Sequence, residues 1–156
     1  MLNIFVLFIS LFFSGSASAE DRVFTREFET DICTAWLNRL GDKNWSHCCV
    51  EHDLYLWAGG ERDELKNSNL RLHACVKATG ASLMADIMLF GIRIGGLSPF
   101  KLESKKFGNA WGESNTDSIL TAYELKQLIE SLTLEQLRNY EYLRAPFIEN
   151  LKKINR

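Results

Sequence analysis

Residues 47–60 read HCCVEHDLYLWAGG, and this stretch decides the fold. Ser46 ahead of it is a capping residue and Gly59-Gly60 is a helix stop, so the residues predict a helix over about Ser46 to Ala58. A second helix, near Glu61 to Thr79, places Leu65, Leu72 and Val76 along one stripe and ends at Gly80. Only two glycines separate the two helices, so they are expected to pack antiparallel. Cys48 and Cys49 then stand just ahead of a His52-Asp53 pair on the first helix. Two adjacent cysteines there are either metal ligands or staples.

The start of the chain bears on that choice. Residues 1–19, MLNIFVLFISLFFSGSASA, carry an apolar run from Leu2 to Phe13 and end in Ala17-Ser18-Ala19. This pattern is that of a signal peptide with an A-x-A cleavage site, and the run is short for a membrane span. A mature chain from Glu20 is expected, secreted or periplasmic, forming a single domain over 20–156. Cys33, Cys48, Cys49 and Cys75 all lie within it, and an even count in an exported chain favours disulfides. Neighbouring cysteines seldom bridge each other without strain. Two connectivities remain: Cys33–Cys49 with Cys48–Cys75, or Cys33–Cys48 with Cys49–Cys75.

The net charge of −2 and pI near 5.9 provide no basic face for nucleic acid. The clusters Lys101/Lys105/Lys106 and Lys152/Lys153/Arg156 read as solvated surface. No run of alternating strand residues stands out, so the fold class is mainly all-α. Residues 20–32 read as a charged lead-in with one short helix, and CTAWLNRLGDKNW (33–45) as a loop around Gly41, Asp42 and Asn44. Ala81–Gly96 is a strongly apolar third helix whose Asp86 and Arg93 argue against a membrane span. A buried core helix is expected, with lipid contact as the alternative.

Residues 97–118 read as irregular. Thr121 with Glu124 forms a capping box opening a helix through Leu132, and Thr133 with Gln136 opens another. Pro146 is expected to kink or divide the last helix. Trp36, Trp45, Trp57 and Trp111 are expected in the core, with lipid contact as the alternative for Trp36, and His47 and His73 at the surface or in packing roles.

If Cys48 bridges to Cys75, the register of the helix pair follows. Four residues beyond Cys48, about 6 Å along the helix, stands His52; six residues before Cys75, about 9 Å back, stands Asn69. The two meet at similar height, and Asp53 faces a neighbouring loop. A histidine oriented by a polar side chain, beside a carboxylate that can hold a cation, is a hydrolytic constellation. A zinc site built from Cys48 or Cys49 with His52 and Cys75, and Cys33 as a further ligand, is the metal alternative.

CCVEHD resembles the C-C-x-x-H-D motif of the secreted phospholipase A2 superfamily. In that family a calcium-loop cysteine precedes the second cysteine of the pair as Cys33 precedes Cys49 here. The partner of the first cysteine follows a histidine-contacting aspartate as Cys75 follows Asn69. The resemblance covers about residues 33–112, including LRLHACVKATG, MLFGIRIGG and NAWG, and is similar to small bacterial exported proteins with this helix pair. Residues 117–156 form a C-terminal helical extension outside it.

The resemblance implies a disulfide-stapled antiparallel helix pair with bridges Cys33–Cys49 and Cys48–Cys75. It implies His52 as general base, Asn69 orienting it, Asp53 holding Ca2+, and a phospholipid or membrane surface as partner. The implied activity is hydrolysis of a phospholipid acyl ester; an inactive lipid- or protein-binding module on the same scaffold is the alternative. Four departures from the family pattern are visible. Tyr55 and Ser68 stand where a further disulfide would join the helices, Leu56 replaces a tyrosine, and Asn69 replaces aspartate. Thr34, Ala35, Trp36 and Leu37 occupy a loop that is rich in glycine in the family, where carbonyl ligands need positive φ.

Overall fold

A computed structural model describes residues 21–34, 36–95, 107–112 and 118–155. The leader, Pro99, the Lys101/Lys105/Lys106 cluster and Arg156 lie outside them. The described chain is mostly helical: α1 (Ser46–Ala58), α2 (Arg62–Ala78), α3 (Ser82–Gly95), α4 (Ala122–Ser131) and α5 (Arg144–Ile154). Residues 33–45 are not wholly loop, because β1 (Arg39–Leu40) pairs antiparallel with β2 (Lys43–Asn44) across Gly41-Asp42. The glycine-centred turn read from the sequence is the tip of this short hairpin.

α1 is buried on nearly every side, since two clusters pack against it. Val50, Leu54, Trp57 and Ala58 join Phe28, Trp111, Leu128, Leu132, Phe147 and Leu151 in one cluster. Cys48 and Cys49 join Cys33, Trp45, Leu72, Val76, Ala85 and Met88 in the other. Its C-terminus closes at Gly59, with φ 74°, whose N–H donates to Tyr55 O at 3.1 Å. A Cβ at Gly59 would lie 2.6 Å from Gly108 Cα, so only glycine lets residues 108–111 cross there. Trp111 Nε1 then donates to Ala58 O at 2.8 Å.

Disulfides Cys33–Cys49 and Cys48–Cys75 fasten α1 to the preceding loop and to α2. The second closes a separation of 27 residues, for which the chain-entropy account predicts a stabilisation of about 3–4 kcal/mol. A Cys48→Ser/Cys75→Ser double variant is expected to lose about that much in urea unfolding. An unchanged midpoint would show that packing of Leu72 and Val76 alone sets the helix register. Two disulfides suit an oxidising compartment, and no helix among the described residues is long and apolar enough to cross a membrane.

Several sequence expectations are corrected. Residues 21–31 form no helix and have no regular secondary structure, with Arg22 and Phe28 buried and Val23, Thr25, Glu27 and Glu29 exposed. Ser46 does not cap α1; Asn44 Oδ1 accepts from its backbone N–H at 2.9 Å and from its hydroxyl at 2.7 Å. Thr133 and Gln136 do exchange capping hydrogen bonds, but only a 3-10 turn (Glu135–Leu137) follows. Pro146 does not kink α5. It sits in the first turn, where the backbone N–H it lacks would have no helical partner.

α3 is not a buried core helix. Ala85 and Met88 face the core, while Leu83, Ile87, Phe90 and Ile94 are exposed. Trp45, Trp57 and Trp111 are in the core as expected, but Trp36 is 42% exposed.

Candidate functional site

His52 lies on α1 and Asn69 on α2, and the bridge below them sets their height. His52 Nε2 is 2.8 Å from Asn69 Oδ1. The amide oxygen is an acceptor, so Nε2 carries the hydrogen and Nδ1 is the basic nitrogen of the ring. His52 is 9% exposed and Asp53 8%, so both are held in a largely dry place. The geometry therefore joins His52 to Asn69 and turns the next residue, Asp53, about 100° round α1.

There Thr30 meets it. Thr30 Oγ1 donates to Asp53 Oδ2 at 2.8 Å and accepts from Ile32 N–H at 2.9 Å. The hydroxyl thus fixes a tight bend in which Ile32 adopts φ 70°, a left-handed conformation that is costly for a β-branched residue. Positive φ beside Asp53 is supplied without glycine, and the Cys33–Cys49 bridge holds the bend against α1. Sequence reading missed Thr30. A threonine two residues before a strained position is the local signal for such a turn.

The Asp53 carboxylate and the Thr30 hydroxyl against it are oxygen groups, which is the chemistry a hard cation selects. A cation at Asp53 competes with the Thr30 hydrogen bond for Oδ2. The zinc alternative is corrected. His47, Cys48 and Cys75 do lie together, but both sulfurs are spent in one disulfide and provide no thiolate. His47 Nε2 stands 3.4 Å from Cys48 Sγ, and His73 Nε2 pairs with Asp86 Oδ1 at 2.8 Å between α2 and α3.

On α1's other flank Tyr55 ties in the C-terminal extension. Asn150 Nδ2 donates to its hydroxyl at 2.6 Å, Phe147 packs edge-on at 5.2 Å, and the Arg71 guanidinium lies 3.9 Å over its ring. Burial pushes the Tyr55 phenol up, with the Asn150 hydrogen bond and the Arg71 charge opposing. Ser68 on α2 is fully buried, and its hydroxyl donates to Leu65 O at 2.8 Å.

Beyond Asn69 an open depression of about 200 Å³ is lined by Arg62, Leu65, Lys66, Asn69 and Arg93. These elements define a helical, disulfide-stapled domain with a buried histidine–amide pair whose Asn69 also lines the depression. No protein-family model, curated protein or solved structure matches the chain.

Proposed function

We propose that this is an exported phospholipase A2-like protein that hydrolyses a phospholipid acyl ester. The observation that carries the reading is the 2.8 Å contact between His52 Nε2 and Asn69 Oδ1 on stapled antiparallel helices. Nδ1 of His52 takes the proton of a water that attacks the ester carbonyl, and later returns it to the leaving alkoxide. Asn69 holds the tautomer that leaves Nδ1 basic. Asp53, with the Thr30 oxygen beside it, would hold Ca2+; when bound, such an ion polarises the ester carbonyl and stabilises its oxyanion.

Asn69 is neutral and so stabilises the imidazolium less than a carboxylate would. Asn69→Asp is therefore expected to raise the hydrolytic rate by about tenfold or more and to move the base limb of its pH profile upward. A fall in rate with an unchanged profile would remove Asn69 from this role. Fatty-acid release from phospholipid micelles, with and without a chelator, tests the function and its calcium together.

The second reading is an inactive lipid- or protein-binding module. The full use of Asp53 Oδ2 by Thr30, and of His52 Nε2 by Asn69, supports it, since both contacts equally serve packing. Wild-type protein inert with millimolar calcium supplied decides for the module.

A further inference from the structure

The two disulfides differ in what surrounds their sulfurs. His47 Nε2 stands 3.4 Å from Cys48 Sγ, and this nitrogen and both sulfurs of the Cys48–Cys75 bridge lie within 4.8 Å of one another. A disulfide sulfur carries no hydrogen, so Nε2 is the donor and Sγ the acceptor. Among the described residues, no hydrogen-bond donor reaches a sulfur of Cys33–Cys49.

The two ends of the Cys48–Cys75 bridge differ as well. Cys48 is the third residue of α1, inside the first turn, and is 1% exposed. Cys75 lies in the last turn of α2 and is half-buried, whereas Cys33 and Cys49 are buried. Negative charge is stabilised at the N-terminal end of a helix and disfavoured at the C-terminal end. The bridge is therefore polarised: Cys75 Sγ is the accessible atom for attack, and Cys48 Sγ is the better leaving thiolate.

We propose that Cys48–Cys75 is a thiol–disulfide exchange site for a dithiol reductant, with Cys75 the sulfur attacked and His47 holding the thiolate that leaves. A thiolate of the dithiol bonds to Cys75 Sγ as the bond to Cys48 Sγ breaks. The electron pair stays on Cys48 Sγ, to which His47 Nε2–H donates. The second thiol of the reductant gives its proton to solvent and attacks the reductant's own sulfur in the mixed disulfide. Cys75 Sγ leaves with the electron pair of that bond and takes up a proton from solvent. Two electrons have then passed from the dithiol, now a disulfide, to the protein, and Cys33–Cys49 stays closed. The bridge lies four residues from His52 on α1 and six from Asn69 on α2, so exchange releases the covalent lock beneath that contact. The exchange itself depends on no activity of His52.

The test is a time course of the exported protein with dithiothreitol in native buffer, quenched with iodoacetamide in urea and read by peptide mass mapping. Cys48 and Cys75 should be labelled at least about tenfold faster than Cys33 and Cys49. His47→Phe keeps a ring but no donor. It should slow the opening of Cys48–Cys75 by about fivefold and leave the Cys33–Cys49 rate unchanged. The ratio of the two rates within one molecule cancels any general change in stability, so a purely packing role for His47 would not move it. With excess glutathione in place of the dithiol, the trapped mixed disulfide should sit on Cys75. Equal opening rates for the two bridges would overturn the proposal. So would a rate ratio in His47→Phe matching wild type, or a glutathione adduct on Cys48 rather than Cys75.

Discussion

His52→Gln is expected to lower fatty-acid release by about 10²–10⁴-fold while leaving the melting point close to wild type. Glutamine keeps an N–H donor that can reach Asn69 Oδ1, so the contact between α1 and α2 survives. It provides no basic nitrogen in place of Nδ1, so the attacking water keeps its proton. The loss should fall on kcat, because substrate contacts elsewhere are unchanged. A variant as active as wild type would show that hydrolysis runs at another site. A variant that loses activity only through unfolding would show a lowered midpoint, and the comparison separates the two.

The helix pair was legible because its signals are local and agree. Gly59-Gly60 and Gly80 stop α1 and α2 within a residue or two of where the pattern ends, and the short link forces antiparallel packing. The irregular lead-in was not legible. Phe24 and Phe28 are four apart, which suits one helical turn and two strand repeats equally, and long-range partners decide between them. Thr25 N–H donates to Ala110 O at 2.7 Å, and Trp57 Nε1 to Arg26 O at 2.8 Å. α3 was misjudged for a related reason. Its apolar residues run all the way round, so composition alone reads as burial and cannot show which side lacks a neighbour.

At the site, placing His52 beside Asn69 needed only a bridge and the helical rise. The Asp53 flank needed more, because Thr30 lies 23 residues away in sequence and acts through a bend at Ile32 that propensity disfavours. The grip of Asn150 on Tyr55 spans 95 residues and no motif announces it. Both contacts come from segments flanking the core region 33–112. The stapled pair is thus readable as a unit, whereas what braces it on either side is decided by tertiary packing.

Glu124→Gln is expected to destabilise the fold by about 3–5 kcal/mol, because it strips the partner from a buried cation. Glu124 Oε1 accepts from Arg22 Nε and from the Arg22 backbone N–H, each at 2.8 Å, and Oε2 accepts from Arg22 Nη2 at 2.9 Å. Oε2 also closes the capping box by accepting from Thr121 N–H at 2.8 Å. The Arg22 guanidinium lies 5.1 Å over Trp111, so it stays enclosed when the carboxylate goes. Burial pushes the Glu124 carboxyl up, but the Arg22 and Thr121 hydrogen bonds and the Arg22 charge outweigh it and hold the group below its ordinary value. A carboxyl depressed in the folded state contributes stability that is fully present above its unfolded pKa, about 4.3. That stability is lost as pH falls from there through the lowered folded value. Wild type should therefore lose stability steeply below about pH 4.3, and Glu124→Gln should show a shallower acid limb from an already lower plateau. The drop in melting temperature near neutral pH should be roughly 10–20 °C for a chain of this size. Equal acid limbs in the two proteins would mean that the Arg22–Glu124 pair, which anchors the lead-in to α4, does not govern the acid response.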